Sequence, residues 1–488
     1  MATATYKVEV DWEGDLTWDH ANSDVTADVR SARWVRGKDY DLGRPVVGYL
    51  EITLRNPDKT YSPDYGAGPI YGNLLPRRAI RLTTTAPAAY NLFYGYIERI
   101  SPHARYKEQN CYILAYDGLD FLSRAEITTS LEKAIGTGAT VTKILNAASW
   151  PAGQRSLDTG QDTVPYAYHQ KVLARNALND VEDSEVGLIY IDGAGDLVFE
   201  DRHHRFKPPH TTSQATFTDI SDVGYILAAQ HIYNEIRATI TPWSLGALAV
   251  FWTLEQIGAS SPLIPAGETV TYWADADGFL DSITEPVATT DYLANSASDG
   301  SGTNYTANIA IVTTKFAQTA KLAITNNASI GVYLTFLQVR GEEYSAEEVV
   351  TVKAEDATSQ GKYQLRILPL NAKLMDDVAV GQDYCDYLIS RHKEPQSHII
   401  ITLQNRDSTT LTQILSRKIS DRITVTCADL GISGQAFYIN KMEHSIYGFG
   451  SFHECRWTLA KIGQEGEFWC LGLSTLGDAM GQTSRLGY

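Results

Sequence analysis

The sequence predicts a multidomain, mainly β protein with α+β parts, and three observations carry that expectation. The chain has 488 residues, well beyond the roughly 250–300 at which a single hydrophobic core stops growing. It holds 28 Tyr, 9 Trp and 37 Gly, a usage that favours strands and turns over helix bundles. Its most organised stretch opens with Tyr49-Leu50-Glu51-Ile52-Thr53-Leu54, where bulky apolar residues stand among polar ones as in a strand on a core.

Composition narrows the function classes. Hydrophobic residues make up 43% and charged residues 20%, which argues against wholesale disorder. The formal net charge of −17 argues against a basic surface that wraps nucleic acid. Cys111, Cys385, Cys427, Cys455 and Cys470 are scattered without a CxxC pair, so buried free thiols are expected and not a zinc ribbon or disulfide frame. The N-terminus MATATYKVEVDW has no apolar signal core. The longest apolar run, residues 245–252, is far short of the ~20 needed to span a bilayer, so no transmembrane segment is expected.

Taken in order, Tyr6-Lys7-Val8-Glu9-Val10-Asp11-Trp12 alternates as a strand, and residues 24–29 and 32–37 read as two more. After the strand at Tyr49, Asn56-Pro57-Asp58 breaks the pattern, because proline donates no ladder hydrogen bond and Asn/Asp bond back to their own backbone. Ser62-Pro63, Gly66, Gly68-Pro69 and Gly72 extend the loop, and residues 79–82, 93–97 and 111–116 resume as strands. Residues 140–148 and 171–182 carry apolar positions at three- and four-residue intervals and predict helices. Asp192-Gly193-Ala194-Gly195-Asp196 between two apolar runs predicts a hairpin. Residues 233–243 read as a strand entering a later β domain. From 244 to about 343, turn-rich segments and short strands suggest an inserted β-sandwich. Beyond it, 379–392 reads as a helix ended by Pro395, and 398–403, 422–426, 436–440 and 453–460 as strands. A faint repeat runs through the chain: Arg78, Phe93-Tyr94 and Cys111 recur at the same spacings as Arg422, Phe437-Tyr438 and Cys455.

Several clusters invite chemistry and are better explained without it. Glu200-Asp201-Arg202-His203-His204, with His210, is the densest set of metal-ligating residues, but neighbours on a strand point to opposite faces and cannot easily share an ion. Asp275-Ala276-Asp277-Gly278, with Asp281 and Glu285, resembles a calcium loop, yet Pro286 stands where the twelfth-position glutamate belongs; weak calcium binding is the most it suggests. Gly136-Thr137-Gly138 precedes a helix, but Thr142-Lys143 reverses the order a phosphate loop requires. There is no Gly-x-Ser-x-Gly elbow, and no stretch isolates a glycosidase carboxylate pair. Tyr90, Phe93, Tyr94 and Tyr96 alternate as core and edge positions. No catalytic, cofactor or metal site is expected.

The organising stretch resembles the tail-hub, or minor tail, proteins of long-tailed bacteriophages, related to the baseplate hubs of contractile tails. The matching pieces are residues 48–58 (GYLEITLRNPD), Tyr61-Ser62-Pro63, Tyr71-Gly72-Asn73-Leu74-Leu75-Pro76-Arg77-Arg78 and Phe93-Tyr94-Gly95-Tyr96-Ile97. With further matches downstream, the resemblance covers most of residues 1–465. It implies two tail-tube-like β-barrel domains, a small α+β domain and the inserted β-sandwich. On that basis the expected division is 1–120 for the first hub barrel and 121–220 for the α+β domain. Residues 221–243 with 347–465 form the second barrel, 244–346 the sandwich and 466–488 a short Gly/Ser/Thr-rich tail, leaving any fibre, lysozyme or needle to a separate protein.

The resemblance further implies a homotrimer closing the tail tube at the distal end of the virion, after synthesis in the host cytoplasm. Its partners would be the distal tail protein ring, the tape-measure protein and tail fibre, receptor-binding or tip proteins. Phage DNA would pass through the channel without sequence-specific binding. Tube and trimer contacts are expected on the barrel strands through Tyr49, Ile52, Leu54, Ile80, Leu82, Phe93, Tyr94, Ile97, Ile423, Val425, Phe437 and Tyr438. The alternatives are a hub of a contractile injection system and a carbohydrate-active enzyme or glycan-binding tail module.

Overall fold

A twelve-stranded sheet runs through the computed structural model, which describes residues 1–106, 108–254, 261–448 and 450–462 and the backbone of Phe468–Trp469 and Arg485–Leu486. Apart from those two segments, the expected tail 466–488, with Cys470, lies outside the described residues. Six strands of the sheet come from the N-terminal part: β1 (Thr5–Val10), β2 (Val29–Gly37), β3 (Tyr49–Arg55), β4 (Ala79–Ala86), β5 (Tyr90–Arg105) and β6 (Glu108–Tyr116). They pair in the order β1-β4-β5-β6-β3-β2. The other six are β7 (Ala215–Phe217), β8 (Asp222–Leu227), β9 (Ser397–Gln404), β10 (Arg422–Cys427), β11 (Ile432–Tyr447) and β12 (Phe452–Lys461). Their order is β7-β10-β11-β12-β9-β8. The two units therefore share one strand order, position for position. One pairing differs in direction: β1 is antiparallel to β4, and β7 is parallel to β10.

Local sequence explains each strand. In β3, Leu50, Ile52 and Leu54 point inward and are buried, while Glu51 and Arg55 face out, the period of two that a one-sided core requires. Each such aliphatic side chain contributes about 1.5–3 kcal/mol on burial. β5 and β11 are both 16 residues long, and each carries one bulge at its middle, at Glu98 and at Asn440. A bulge bends a strand and changes its partner along its length. The N-terminal half of β11 pairs with β10, while its C-terminal half pairs with β2, from Ser31 opposite Tyr447 to Gly37 opposite Lys441. This seam joins the two units. Among the described residues neither unit closes on itself, so the two barrel-like units form one continuous sheet.

The repeat suspected in the sequence is thus a repeat of topology. Cys111 and Cys455 correspond directly, each opposite a leucine, Leu54 and Leu403. The aromatic pairs do not: counted from the bulges, Tyr96-Ile97 matches Tyr438-Ile439, and Phe93-Tyr94 is two residues out of step with Phe437-Tyr438. Residues 24–28 are not a strand, and Val29 opens β2. Asp24 accepts from the backbone N–H of Thr26, and Thr26–Asp28 is a 3₁₀ turn whose Thr26 Oγ1 accepts from Val8 N–H.

Residues between β6 and β7 form an α+β unit. Helices Thr137–Ala147 and Ala174–Glu185 pack with the expected hairpin, Leu188–Ile191 against Leu197–Glu200, around Ile144, Leu178, Ile189 and Phe199. Two further units are inserted between β8 and β9. In one, Val332–Ala346 pairs with five short strands and packs against the sheet of Thr269–Asp275, Thr319–Asn326 and Ile309–Lys315, with one core between them. This is the inserted β-sandwich. In the other, Glu235–Ile240 pairs with Val350–Glu355 and Ile367–Asn371 and is covered by helix Val378–His392. Glu235–Ile240 was expected to enter the second barrel. It has a sheet and core of its own, because alternation marks a strand without naming its partner, and both partners lie more than a hundred residues away. Ala215–Phe217, inside the segment read as α+β, instead pairs with β10.

Gly37 closes the seam with φ +99°, and a Cβ there would lie 2.2 Å from the Asn440 carbonyl oxygen. That contact is with backbone and cannot swing away. Gly37→Ala is expected to lower stability by about 2 kcal/mol or more, since left-handed strain alone costs about 1–3 kcal/mol; a urea midpoint indistinguishable from the parent would contradict this account of the seam.

Candidate functional site

Most of the side chains expected to make assembly contacts are spent on the chain's own interior. Ile52, Leu54, Ile80, Leu82, Phe93 and Ile97 lie in the core of the first unit, and Ile423, Val425 and Phe437 in that of the second. Tyr438 is also buried, its hydroxyl donating to the Arg205 carbonyl at 3.1 Å. Tyr49 and Tyr94 are half-buried. The physical reason is the pleat: an apolar residue in an alternating strand faces inward, and the next residue faces out. Contacts with another chain must use those outward faces or the strand edges.

The outward face at the seam is polar and aromatic. Arg33, Glu51, Arg99, Tyr112 and Tyr447, from five strands, line a shallow groove of about 380 Å³. Arg33 reaches Glu443 at 3.4 Å and Glu51 at 3.8 Å, with its guanidinium 5.7 Å from the Tyr49 ring centre. Exposed pairs of this kind contribute about 0–1 kcal/mol, so they can exchange partners cheaply when another surface arrives. Sequence reasoning missed these residues because outward charges on a strand look like ordinary solvated positions.

Beneath this face the seam holds a buried polar chain. The Trp34 ring stacks on His444 with centroids 4.5 Å apart. His444 Nδ1 lies 3.0 Å from His453 Nε2, His453 Nδ1 lies 2.6 Å from the Tyr6 hydroxyl, and His444 Nε2 lies 3.4 Å from Cys455 Sγ. Donation in one direction from Tyr6 to Cys455, or in reverse, satisfies every member with both imidazoles neutral. Burial pushes His453 down to about 3 and His444 well below its ordinary range. Burial likewise pushes the Cys455 thiol well up, the opposite of what a nucleophilic cysteine requires. This chain ties β1, β2, β11 and β12 together and has no catalytic poise.

A second buried cluster lies where the inserted units return to the sheet. Burial raises the Asp41 carboxyl's affinity for a proton, but Arg391, Lys38 and Arg205 overcome it and hold Asp41 well below the usual carboxylate range. Asp41 accepts from Arg391 at 2.8 Å and from Asn440 Nδ2 at 2.8 Å. Arg205 donates to Asn440 Oδ1 at 2.9 Å and to Ser420 Oγ at 3.2 Å, and Ser420 donates to Glu200. Burial, aided by Arg205, brings Lys38 down to about 8. The cluster joins the β2–β3 loop, the hairpin end, helix Val378–His392 and the bulge of β11. A small cavity of about 110 Å³ beside it is lined by Lys38, Asp41, Arg205 and Arg391.

The clusters weighed from the sequence resolve into structural roles. His204 bonds Asp158 at 2.8 Å and sits 3.6 Å from Glu200, while Lys207 pairs with Asp201. Asp281 pairs with Lys133, and Glu285 accepts from Thr313. At Gly136-Thr137-Gly138 the helix N-terminus is filled by the chain itself: Thr137 and Gly138 N–H donate to Asp162 and Thr159 carbonyls, and Thr137 Oγ1 donates to Glu185. Among the described residues the one group of three convergent ligands is Glu13, Asp15 and Asp19. All three are exposed.

No protein-family model and no curated protein sequence matches the chain. Solved structures do. The 43 kDa tail protein of prophage MuSo2 from Shewanella oneidensis aligns with a TM-score of 0.50 at 9% identity, over 94% of this chain and 98% of that one. The tail protein of Neisseria meningitidis MC58 aligns with a TM-score of 0.51 at 9% identity, over 94% and 97%. The likeness spans nearly the whole of each chain and shows the fold, a multidomain, mainly β architecture shared with these two proteins.

Across the seam, the neutral histidines set a pH dependence. An imidazole whose folded pKa lies below its unfolded value of about 6.5 contributes stability that is full above that value and lost as pH falls toward the folded pKa. Burial raises Asp117 to about 7 and Asp162 to about 6, which acts in the opposite sense, so the comparison must be made by difference. The stability of the parent relative to His453→Gln should fall by about 2 kcal/mol between pH 7 and pH 5; parallel pH curves from urea titrations would contradict a neutral buried His453.

Proposed function

We propose that the chain is a structural hub at the distal end of a phage-type tail, assembled as a homotrimer around a central channel. The observation that carries this reading is the doubled six-stranded unit: three chains supply six equivalent units, the number needed to meet a six-fold tail tube. The tail-protein fold supports it. In this role the hub lies in the virion between the distal tail protein ring and the tail fibre, receptor-binding or tip proteins, and holds the end of the tape-measure protein. Its task is mechanical and not enzymatic: it closes the tube and opens for genome passage. DNA passes without sequence-specific contact, which suits a chain of net charge −17.

Light scattering on the purified protein, with negative-stain images of the same sample, tests the reading. A mass of three chains and ring-shaped particles with a central hole or plug are expected. A monomer without rings, even after addition of the distal tail protein, would overturn it.

One observation favours an added role for the inserted sandwich in binding envelope glycans. On the exposed face of its strand Trp273 is 53% exposed with its ring 5.6 Å from that of Phe316. An exposed aromatic platform fits the apolar face of a sugar ring. Trp273→Ala should reduce binding to host envelope glycans at least tenfold without moving the thermal midpoint; unchanged binding would remove this role.

A further inference from the structure

β2 and β8 hold the same place in their units, yet among the described residues β2 is paired on both sides and β8 on one. β2 pairs with β3 and with the C-terminal half of β11, whereas β8 pairs, among the described residues, with β9 alone. The receiving strands show the same imbalance. The C-terminal half of β11 pairs with β12 and β2, but its counterpart in β5, residues 99–105, pairs among the described residues with β6 alone. Each half of the seam thus exists twice, and one copy of each is unused.

Both unused edges are open to solvent. On β8, Tyr225, Ile226 and Leu227 are 47%, 46% and 59% exposed, and on β5 Pro102, His103, Ala104 and Arg105 are exposed. An apolar edge strand with free ladder groups is a template for a strand from another chain. Within one chain the two edges do not pair among the described residues: β6, β3, β2, β11, β12 and β9 lie between them in the sheet.

We propose that β8 of one protomer pairs antiparallel with residues 99–105 of a second copy of this chain, repeating between molecules the seam that β2 and β11 make within one. The register follows from the repeat. The bulges align Glu98 with Asn440, and the Leu54–Cys111 and Leu403–Cys455 pairs align Ser31 with Asp222. Carrying over the pairing of Ser31 with Tyr447 and Trp34 with His444 sets Asp222 opposite Arg105, Tyr225 opposite Pro102, Ile226 opposite Ser101 and Leu227 opposite Ile100. Opposite charges meet at one end and apolar side chains at the other. Because the two edges differ, the contact is head-to-tail, and its repetition closes a ring. That the ring closes at three rests on the hub reading above.

The test is disulfide formation in the full-length chain under mild oxidation. Ile226→Cys combined with Ser101→Cys should give a covalent ladder ending at three chains. Each single variant should stay at the parent level, as should Ile226→Cys with Pro102→Cys, since successive strand positions face opposite sides. A three-chain mass with no 226–101 cross-link would overturn this seam and leave the ring reading standing. A monomer with no cross-link would overturn both, and equal cross-linking through positions 101 and 102 would overturn the pairing.

Discussion

The pairing of β2 with the far half of β11 is the interaction on which the rest of the structure depends. β10 begins at Arg422, opposite Tyr438, and beyond the Asn440 bulge β11 has β2 as its neighbour instead. The bulge bends the strand there, and the elements around the seam are placed by the pairing with β2. Trp34 and the two histidines fill the space beneath it. The Asp41 cluster sits at the bulge itself through Asn440. Leu411, Leu415 and Ile446 from the second unit enter the core of the first.

The doubling also explains where the other units are inserted. The connection from β2 to β3 is the short loop 38–48, whereas the equivalent connection from β8 to β9 spans 228–396 and holds the sandwich and the helix-covered sheet. Both insertions leave from one corner of the sheet and return to it. Buried charge marks that corner. A buried ion pair is a weak source of net stability, but satisfied on all sides, as Asp41 is, it accepts few alternative arrangements. The Asp41 cluster therefore orients the helix-covered unit through Arg391, and that unit's apolar core holds it together.

Much of the scaffold was legible in sequence because short-range rules set it. The alternation of Leu50, Ile52 and Leu54, the Asp192–Asp196 turn and the helix ended before Pro395 each depend on a few neighbouring residues. The candidate contact surface was less legible. Apolar strand residues are the visible signal, and the pleat turns most of them inward, so Ile52 or Phe437 marks the core and not the interface. The unpaired edges at Tyr225–Leu227 and residues 99–105 leave no local signature at all, since an edge strand and a central strand can share the same alternation.

By itself, then, the sequence determined most of the strands, turns and helices, the tail-hub resemblance and the trace of a repeat at Cys111 and Cys455. Tertiary structure alone decided which strands are neighbours, that the repeat is one of topology with the aromatic pairs out of step, and that the two units share one sheet. The reason is range. Alternation and turn chemistry act over a few residues, whereas β2 finds β11 across some four hundred, and only the folded backbone records which edge was taken and which was left open.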